Sequence, residues 1–342
     1  MIQKYAIGID ISKSKVDCVV LNFKLEHIFE KEVPNTKKEL EKFLLQTIKK
    51  LKIEKQDLVI CCENTGVYNR PLEKTCTELG VTLWVEHAVK IKRASTDMRG
   101  KDDRTDAFRI AEYCVRYIDR LVVYEEPSDE INALDAQVKV RETLLNQKTA
   151  IQQQLNEAKT HDPFEFRILE KSFSKVLKSI SQSLKDTEAK IDAIVSKDKQ
   201  LNTNKNLLMS IPGIGPQTAI NFIITTDNFS KFKSAKHLAC YAGVVPFKNE
   251  SGIMIKKPRI SKMANKNLKK LLHLAAMASI RSCGELREYY QRKVAEGKNK
   301  MSVLNAIRNK LVHRIMAVIQ RQEPYLSQEE YLLKFNEKLI VL

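Results

Sequence analysis

A chain of 342 residues is too long for one ordinary hydrophobic core, so two or three domains are expected. Hydrophobic residues at 43% and charged residues at 30% describe a soluble globular protein, and the net charge of +17 favours a polyanionic partner, nucleic acid above all. The seven cysteines are scattered without a CxxC pair, which argues against a disulfide framework or a zinc site. No apolar leader and no run of membrane-spanning length is present, so a cytoplasmic protein without membrane association is expected.

Tyr5-Ala6-Ile7-Gly8-Ile9-Asp10 reads as a buried strand that ends on a carboxylate. Such an aspartate is costly to desolvate unless it is paired or holds a cation. Residues 15–23 and 25–33 read as two more strands, and Pro34-Asn35-Thr36 as a turn and N-cap before a helix reaching about Lys50. Leu58-Val59-Ile60-Cys61-Cys62-Glu63 is a second buried strand ending on a carboxylate. A helix from Tyr68 to Leu79, stopped by Gly80, and a strand over 81–85 follow, so the order of elements predicts an α/β sheet. Trp84 in that strand reads as core sooner than as a base-stacking platform.

A helix is expected from about Asp103 to Tyr117, with Asp103 and Asp106 on one face of its first turn. That pair has two readings: ligands for a cation, or acids placed where the helix dipole favours them. Arg104 beside them reads as a phosphate contact or a surface ion pair. Four carboxylates, Asp10, Glu63, Asp103 and Asp106, thus sit where they could converge, and oxygen ligands of this kind suit Mg2+.

Residues 128–159 and 166–196 read as two long helices broken at His161-Asp162-Pro163, an antiparallel hairpin. Leu169, Phe173, Val176, Ile180, Leu184, Thr187, Ile191 and Ile194 form a seam for a partner helix, with coiled-coil pairing of two copies as one use. Ile211-Pro212-Gly213-Ile214-Gly215 between helical runs has the pattern of a helix-hairpin-helix, in which Gly213 and Gly215 admit a phosphate close to the backbone. The other reading is a plain turn between helices.

Residues 244–252 read as a polar loop containing Ser251, which by itself would be a serine capping a turn. The basic run with Lys256, Lys257, Arg259 and Lys262 leads into a helix over about 265–281 that presents Lys266, Lys269 and Lys270. Between Lys256 and Arg314, sixteen Lys and Arg stand against three Asp and Glu. Most of the excess positive charge is therefore here, and nucleic-acid binding through it should weaken steeply with salt. Helices over about 302–320 and 328–337 close the chain.

Three acidic segments, Gly8-Ile9-Asp10-Ile11-Ser12-Lys13, Glu63-Asn64-Thr65-Gly66 and Lys101-Asp102-Asp103-Arg104-Thr105-Asp106-Ala107, resemble those of DEDD transposases of the insertion-sequence-110 family. Ile211 to Gly215, Ala242 to Pro246, Ser251-Gly252 and Ile260-Ser261-Lys262 resemble that family's C-terminal transposase domain. The resemblance implies an RNase H (RuvC)-like mixed-sheet domain over 1–125 and a coiled-coil helical hairpin over 126–200. It also implies a mainly helical C-terminal domain over 201–325, followed by a tail over 326–342.

The resemblance further implies that Asp10, Glu63, Asp103 and Asp106 hold Mg2+, and that Ser251 attacks the DNA phosphate to give a transient phosphoserine link. A structured non-coding bridge RNA pairing with target and donor DNA, and a homo-oligomer (dimer or tetramer), follow from the same likeness. Asp102 stands where the family usually has Thr, which leaves Asp102 and Asp103 as alternatives for one ligand, with periodicity favouring Asp103. Ala264 and Lys269 stand where Gly and Arg are usual. The rival readings are an RNase H-type metal nuclease in which Ser251 is a bystander, and an inactive nucleic-acid scaffold.

Overall fold

The computed structural model describes residues 3–94, 103–251, 254–260, 264–327 and 330–331. The chain divides into two units, Met1–Glu126 and Pro127–Leu342.

The first unit is built on one sheet. β1 (Tyr5–Ile11), β2 (Lys15–Asn22) and β3 (His27–Pro34) form an antiparallel meander. After α1 (Lys37–Leu51), β4 (Leu58–Glu63) pairs parallel with β1, and after α2 (Arg70–Leu79), β5 (Thr82–Glu86) pairs parallel with β4. The strand order is therefore β3-β2-β1-β4-β5. The two central strands are apolar on both faces, as strands covered on both sides must be. β3 is exposed and carries Glu30, Lys31 and Glu32, charges that protect a sheet edge from pairing with another chain.

Local signals place the helices. Thr36 caps α1 by accepting from the Glu39 amide, and Leu40, Phe43, Leu44 and Thr47 form its buried stripe. The helix read as starting at Tyr68 begins as a 3-10 turn over Gly66–Asn69 and becomes α-helical only at Arg70. α3 (Ala88–Ala94) and α4 (Asp103–Arg116) complete the unit.

Side-chain alternation divides the sheet into two faces. Ile7, Ile9, Val16, Cys18, Val20, Leu58, Ile60, Cys62 and Leu83 pack with the buried residues of α1 and α2. Ala6, Val19, Leu21, Val59, Cys61 and Trp84 pack with Ala107, Ile110, Ala111 and Cys114 of α4. Trp84 is 1% exposed and its ring lies 5.2 Å from that of Tyr113, so it is core.

The second unit opens with α5 (Asp129–His161) and α6 (Pro163–Lys197), which lie side by side; Arg141 Nε donates to Glu188 at 2.9 Å across them. The break is a single residue, Asp162, whose carboxylate caps the amides of Phe164 and Glu165, so α6 begins at Pro163 and not at 166. Ile180, Leu184, Thr187 and Ile191 of the seam are buried, whereas Val176, Ile168 and Phe164 (74%) are exposed toward the far end. α7 (Lys199–Met209), α8 (Pro216–Thr226) and α9 (Ala235–Tyr241) follow.

Residues 244–260 depart from the sequence reading. In place of a polar loop and a run leading to a helix, Pro246–Ser251 is β6 and Met254–Ile260 is β7, an antiparallel pair. The run from 244 to 260 mixes Pro, Lys, Asn and Glu without strict apolar–polar alternation, so no strand pattern stands out in it. α10 (Lys266–Ser282), α11 (Gly284–Ala295) and α12 (Lys300–Arg321) close the described part. α3 and α11 have no counterpart among the helices read from the sequence, and the helix expected at 328–337 lies, apart from Glu330 and Tyr331, outside the described residues. Among the described residues no helix is long and apolar enough to cross a membrane, and all seven cysteines are free.

Candidate active site

Strand register decides which acids can meet. The α4 side of the sheet takes Ala6, Val59, Cys61, Val19 and Trp84, so period-two alternation carries Asp10, Glu63, Asp17 and Glu86 to that side. Asp10 pairs with Asp17, and Glu63 with Glu86. The parallel register runs to Ile9 opposite Cys62, and its next step sets Asp10 beside Glu63. Four carboxylates therefore cross the sheet in a row.

Above them α4 is held close by a missing side chain. A Cβ on Gly8 would stand 2.2 Å from both the Ala107 carbonyl and the Ala111 amide. Asp106 is the residue before Ala107, so this contact fixes its height over the sheet. Its charge reaches Glu63: burial raises the Glu63 carboxyl above its ordinary value, Asp106 raises it further, and Lys92 of α3 opposes them. Asp106 itself is paired with Arg109 at 2.7 Å.

The two acids not singled out in the sequence differ from the rest. Glu86 is buried and satisfied by the Tyr113 hydroxyl at 3.2 Å, Lys90 at 3.0 Å and the His87 amide at 2.7 Å. Asp17 is paired with Lys15 at 3.4 Å. Their signal was an acid inside or ending an apolar run, the same as for Glu63, and only register shows that they share its face. Arg104 forms an ion pair with Glu30 at 3.1 Å.

The Asp103 backbone begins α4, but its side chain, like Asp102 as a whole, lies outside the described residues. Among the described residues no group of three or more His, Cys, Asp or Glu stands gathered as a metal cage. Asp10 and Glu63 share a face and an end of the sheet, with Asp106 on the helix that covers it, and the three do not form such a group.

The loop after Glu63 is rigidly made. The buried Asn69 donates to the Glu63 carbonyl at 2.8 Å and accepts from the Thr65 amide at 3.0 Å, and Gly66 takes a positive φ of 74°. Asn35 donates to the carbonyls of Ser12 and Tyr68 at 2.9 and 3.0 Å, tying the turn after β1 to the same loop.

In the second unit Ser251 is the last residue of β6, opposite Met254. The side chains of Ser251, Lys256, Lys257 and Arg259, and Lys262 entirely, lie outside the description. On α10, Lys266 and Lys270 are exposed and Lys269 half-buried, on the side away from the buried Leu268 and Leu272.

The turn between α7 and α8 uses its two glycines differently. Gly213 has φ 92°, and a Cβ there would meet Ser279 Oγ at 2.1 Å and the Ala275 carbonyl at 2.6 Å, so the turn is seated on α10. Gly215 caps α8 with open space around its Cα. Gly213→Ala is expected to cost about 2–4 kcal/mol through left-handed strain and overpacking, and Gly215→Ala well under about 1 kcal/mol. Thermal melts of the two variants check this.

A five-stranded mixed sheet in this order, with acids near the C-terminal ends of β1 and β4 beneath a helix that carries a third, fits an RNase H-like DEDD domain. Residues 7–158 match the DEDD family of IS110 elements, described as "Transposase", and residues 205–291 match "Transposase IS116/IS110/IS902 family". The pilin gene-inverting protein of Moraxella lacunata is 30% identical over 234 residues, 68% of this chain and 70% of that one. The like-named protein of Moraxella bovis shows the same figures. The transposase for insertion sequence element IS1111A of Coxiella burnetii is 24% identical over 255 residues, covering 66% and 68%. The chain belongs to the IS110/IS116/IS902 family of insertion-sequence transposases. It is accordingly a DNA transposase, an enzyme of DNA recombination.

Proposed function

We propose that the chain recombines DNA through a covalent serine link, with Ser251 as nucleophile and Asp10, Glu63, Asp106 and Asp103 as ligands of Mg2+. The observation that carries this reading is the placement of Asp10 and Glu63 side by side in register on the face covered by α4, the helix of Asp106. The donor set is all oxygen, and Glu63 has its carboxyl raised by burial and by Asp106, a shortage of positive charge that fits a hard divalent ion. When bound, such an ion supplies charge stabilisation at the reacting phosphate.

The chain's own residues account for the rest. The Ser251 hydroxyl attacks phosphorus: an Oγ–P bond forms, the bond from phosphorus to one strand oxygen breaks, and the serine proton is balanced by protonation of the departing oxygen. The phosphoserine conserves the phosphodiester energy, so attack by another strand hydroxyl rejoins DNA without ATP. The basic run of Lys256, Lys257, Arg259, Lys262, Lys266, Lys269 and Lys270 neutralises backbone phosphates, and the α8 N-terminus at Gly213 and Gly215 offers amides to another.

Sequence choice is assigned to a structured bridge RNA, with the protein binding backbone and shape, as in other RNA-guided systems. The coiled-coil reading of α5 and α6 and a dimer or tetramer belong to the same proposal, supported by the exposed Phe164, Ile168 and Val176.

Incubating the protein with element-end DNA, the flanking transcript and Mg2+ should yield a protein–DNA adduct that survives boiling in detergent and is absent in Ser251→Ala. Wild-type recombination by that variant would sink the serine mechanism. Cutting by Ser251→Ala but not by Asp10→Ala would turn the reading to a metal-only nuclease.

A further inference from the structure

α12 carries a buried apolar stripe through Leu304, Ile307, Leu311, Val312 and Ile315, and Arg308 stands in the middle of it, 6% exposed. Its Nη2 meets Nδ1 of His273 on α10, its Nε has no hydrogen-bond partner, and no carboxylate pairs with it among the described residues. Burial lowers the Arg308 pKa, and burial together with the Arg308 charge lowers that of His273, so the imidazole faces it as a neutral acceptor. Among the described residues the positive charge is therefore uncompensated. An arginine held in this way is costly to the fold unless an anion completes it.

The surroundings say which kind of anion. Asn305, one turn earlier, donates to the Val244 carbonyl at 2.7 Å, two residues before β6, so the arginine's helix is tied to the root of the ribbon that carries Ser251. Lys269 and Lys270 stand one turn before His273 on α10. Phosphate oxygens match the guanidinium, and the substrate of this family of enzymes is DNA.

We propose that Arg308, beside His273, is a phosphate-binding subsite of the C-terminal unit that takes one backbone phosphate of the DNA near the β6–β7 ribbon. The inference rests on DNA as substrate and not on the serine chemistry, so the test needs no turnover.

Full-length wild type, Arg308→Met and Arg308→Lys are melted in chloride and in inorganic phosphate at matched ionic strength. They are also titrated with fluorescent duplex and with RNA of equal length over a range of salt. Phosphate should raise the wild-type melting temperature saturably, as a ligand of the native state does. Arg308→Met should melt in chloride at or above wild type and lose the phosphate response. It should bind duplex about tenfold more weakly, with a salt slope lower by about one contact. Arg308→Lys should fold and fall between. The proposal is overturned if Arg308→Met fails to fold or melts lower in chloride, since the arginine would then be satisfied within the protein. Retention of duplex affinity and salt slope, or a loss confined to RNA, also overturns it, and a phosphate rise that survives Arg308→Met shows an adventitious ion only.

Discussion

Glu63→Gln should abolish recombination while leaving the protein as stable as wild type or more so. Glutamine keeps the shape and removes one charge from a row that also holds Asp10, Asp17 and Glu86, with Asp106 above. Because burial and Asp106 both disfavour the ionised form of Glu63, its loss relieves the resting fold. The same loss removes a ligand of the proposed ion. If that ion supplies about 4 kcal/mol of charge stabilisation, the rate should fall on the order of 10^3-fold. Glu86→Gln is the contrast: its carboxylate is held by Tyr113, Lys90 and the His87 amide, so that variant should lose about 1–3 kcal/mol of stability. Paired melting and strand-transfer assays read both. A Glu63→Gln variant that melts well below wild type, or that recombines normally, would refute the assignment.

Gly8→Ala should be the most damaging single methyl in the first unit. Contacts of 2.2 Å to an α4 carbonyl and an α4 amide involve backbone, which no side-chain rotation relieves. Either α4 lifts from β1 or the strand bends, at a cost of about 3–5 kcal/mol. Against a typical stability of about 5–15 kcal/mol, that should lower the melting temperature by roughly 10 °C or more. Activity should fall further than stability alone requires, because a lifted α4 carries Asp106 away from Glu63. Gly80, with open space around it, shows that the penalty belongs to the contact; its own φ of 68° makes it instead the left-handed cap of α2. A Gly8→Ala melt within about 2 °C of wild type would show that α4 yields more easily than this packing implies.

How much could be read beforehand varies from element to element. β1 and β4 were legible because strands covered on both faces become continuous apolar runs, and an acid closing such a run stands out. The break at Asp162 was legible because proline and a capping aspartate leave the backbone little choice. The β6–β7 ribbon was not, since its residues show no strict alternation of apolar and polar side chains. Arg308 interrupts a stripe that runs through 304, 307, 311 and 315, but periodicity says only where a side chain points, not whether anything neutralises it.

The identities of Asp10, Glu63 and Asp106, and the charge of the C-terminal region, were properties of the chain alone. Their neighbourhood was decided in three dimensions. Register set Asp10 beside Glu63 and brought Asp17 and Glu86 into the row, because pairing between strands is a relation that neither strand contains. The close approach at Gly8, which sets the height of Asp106, likewise exists only once α4 has packed on the sheet.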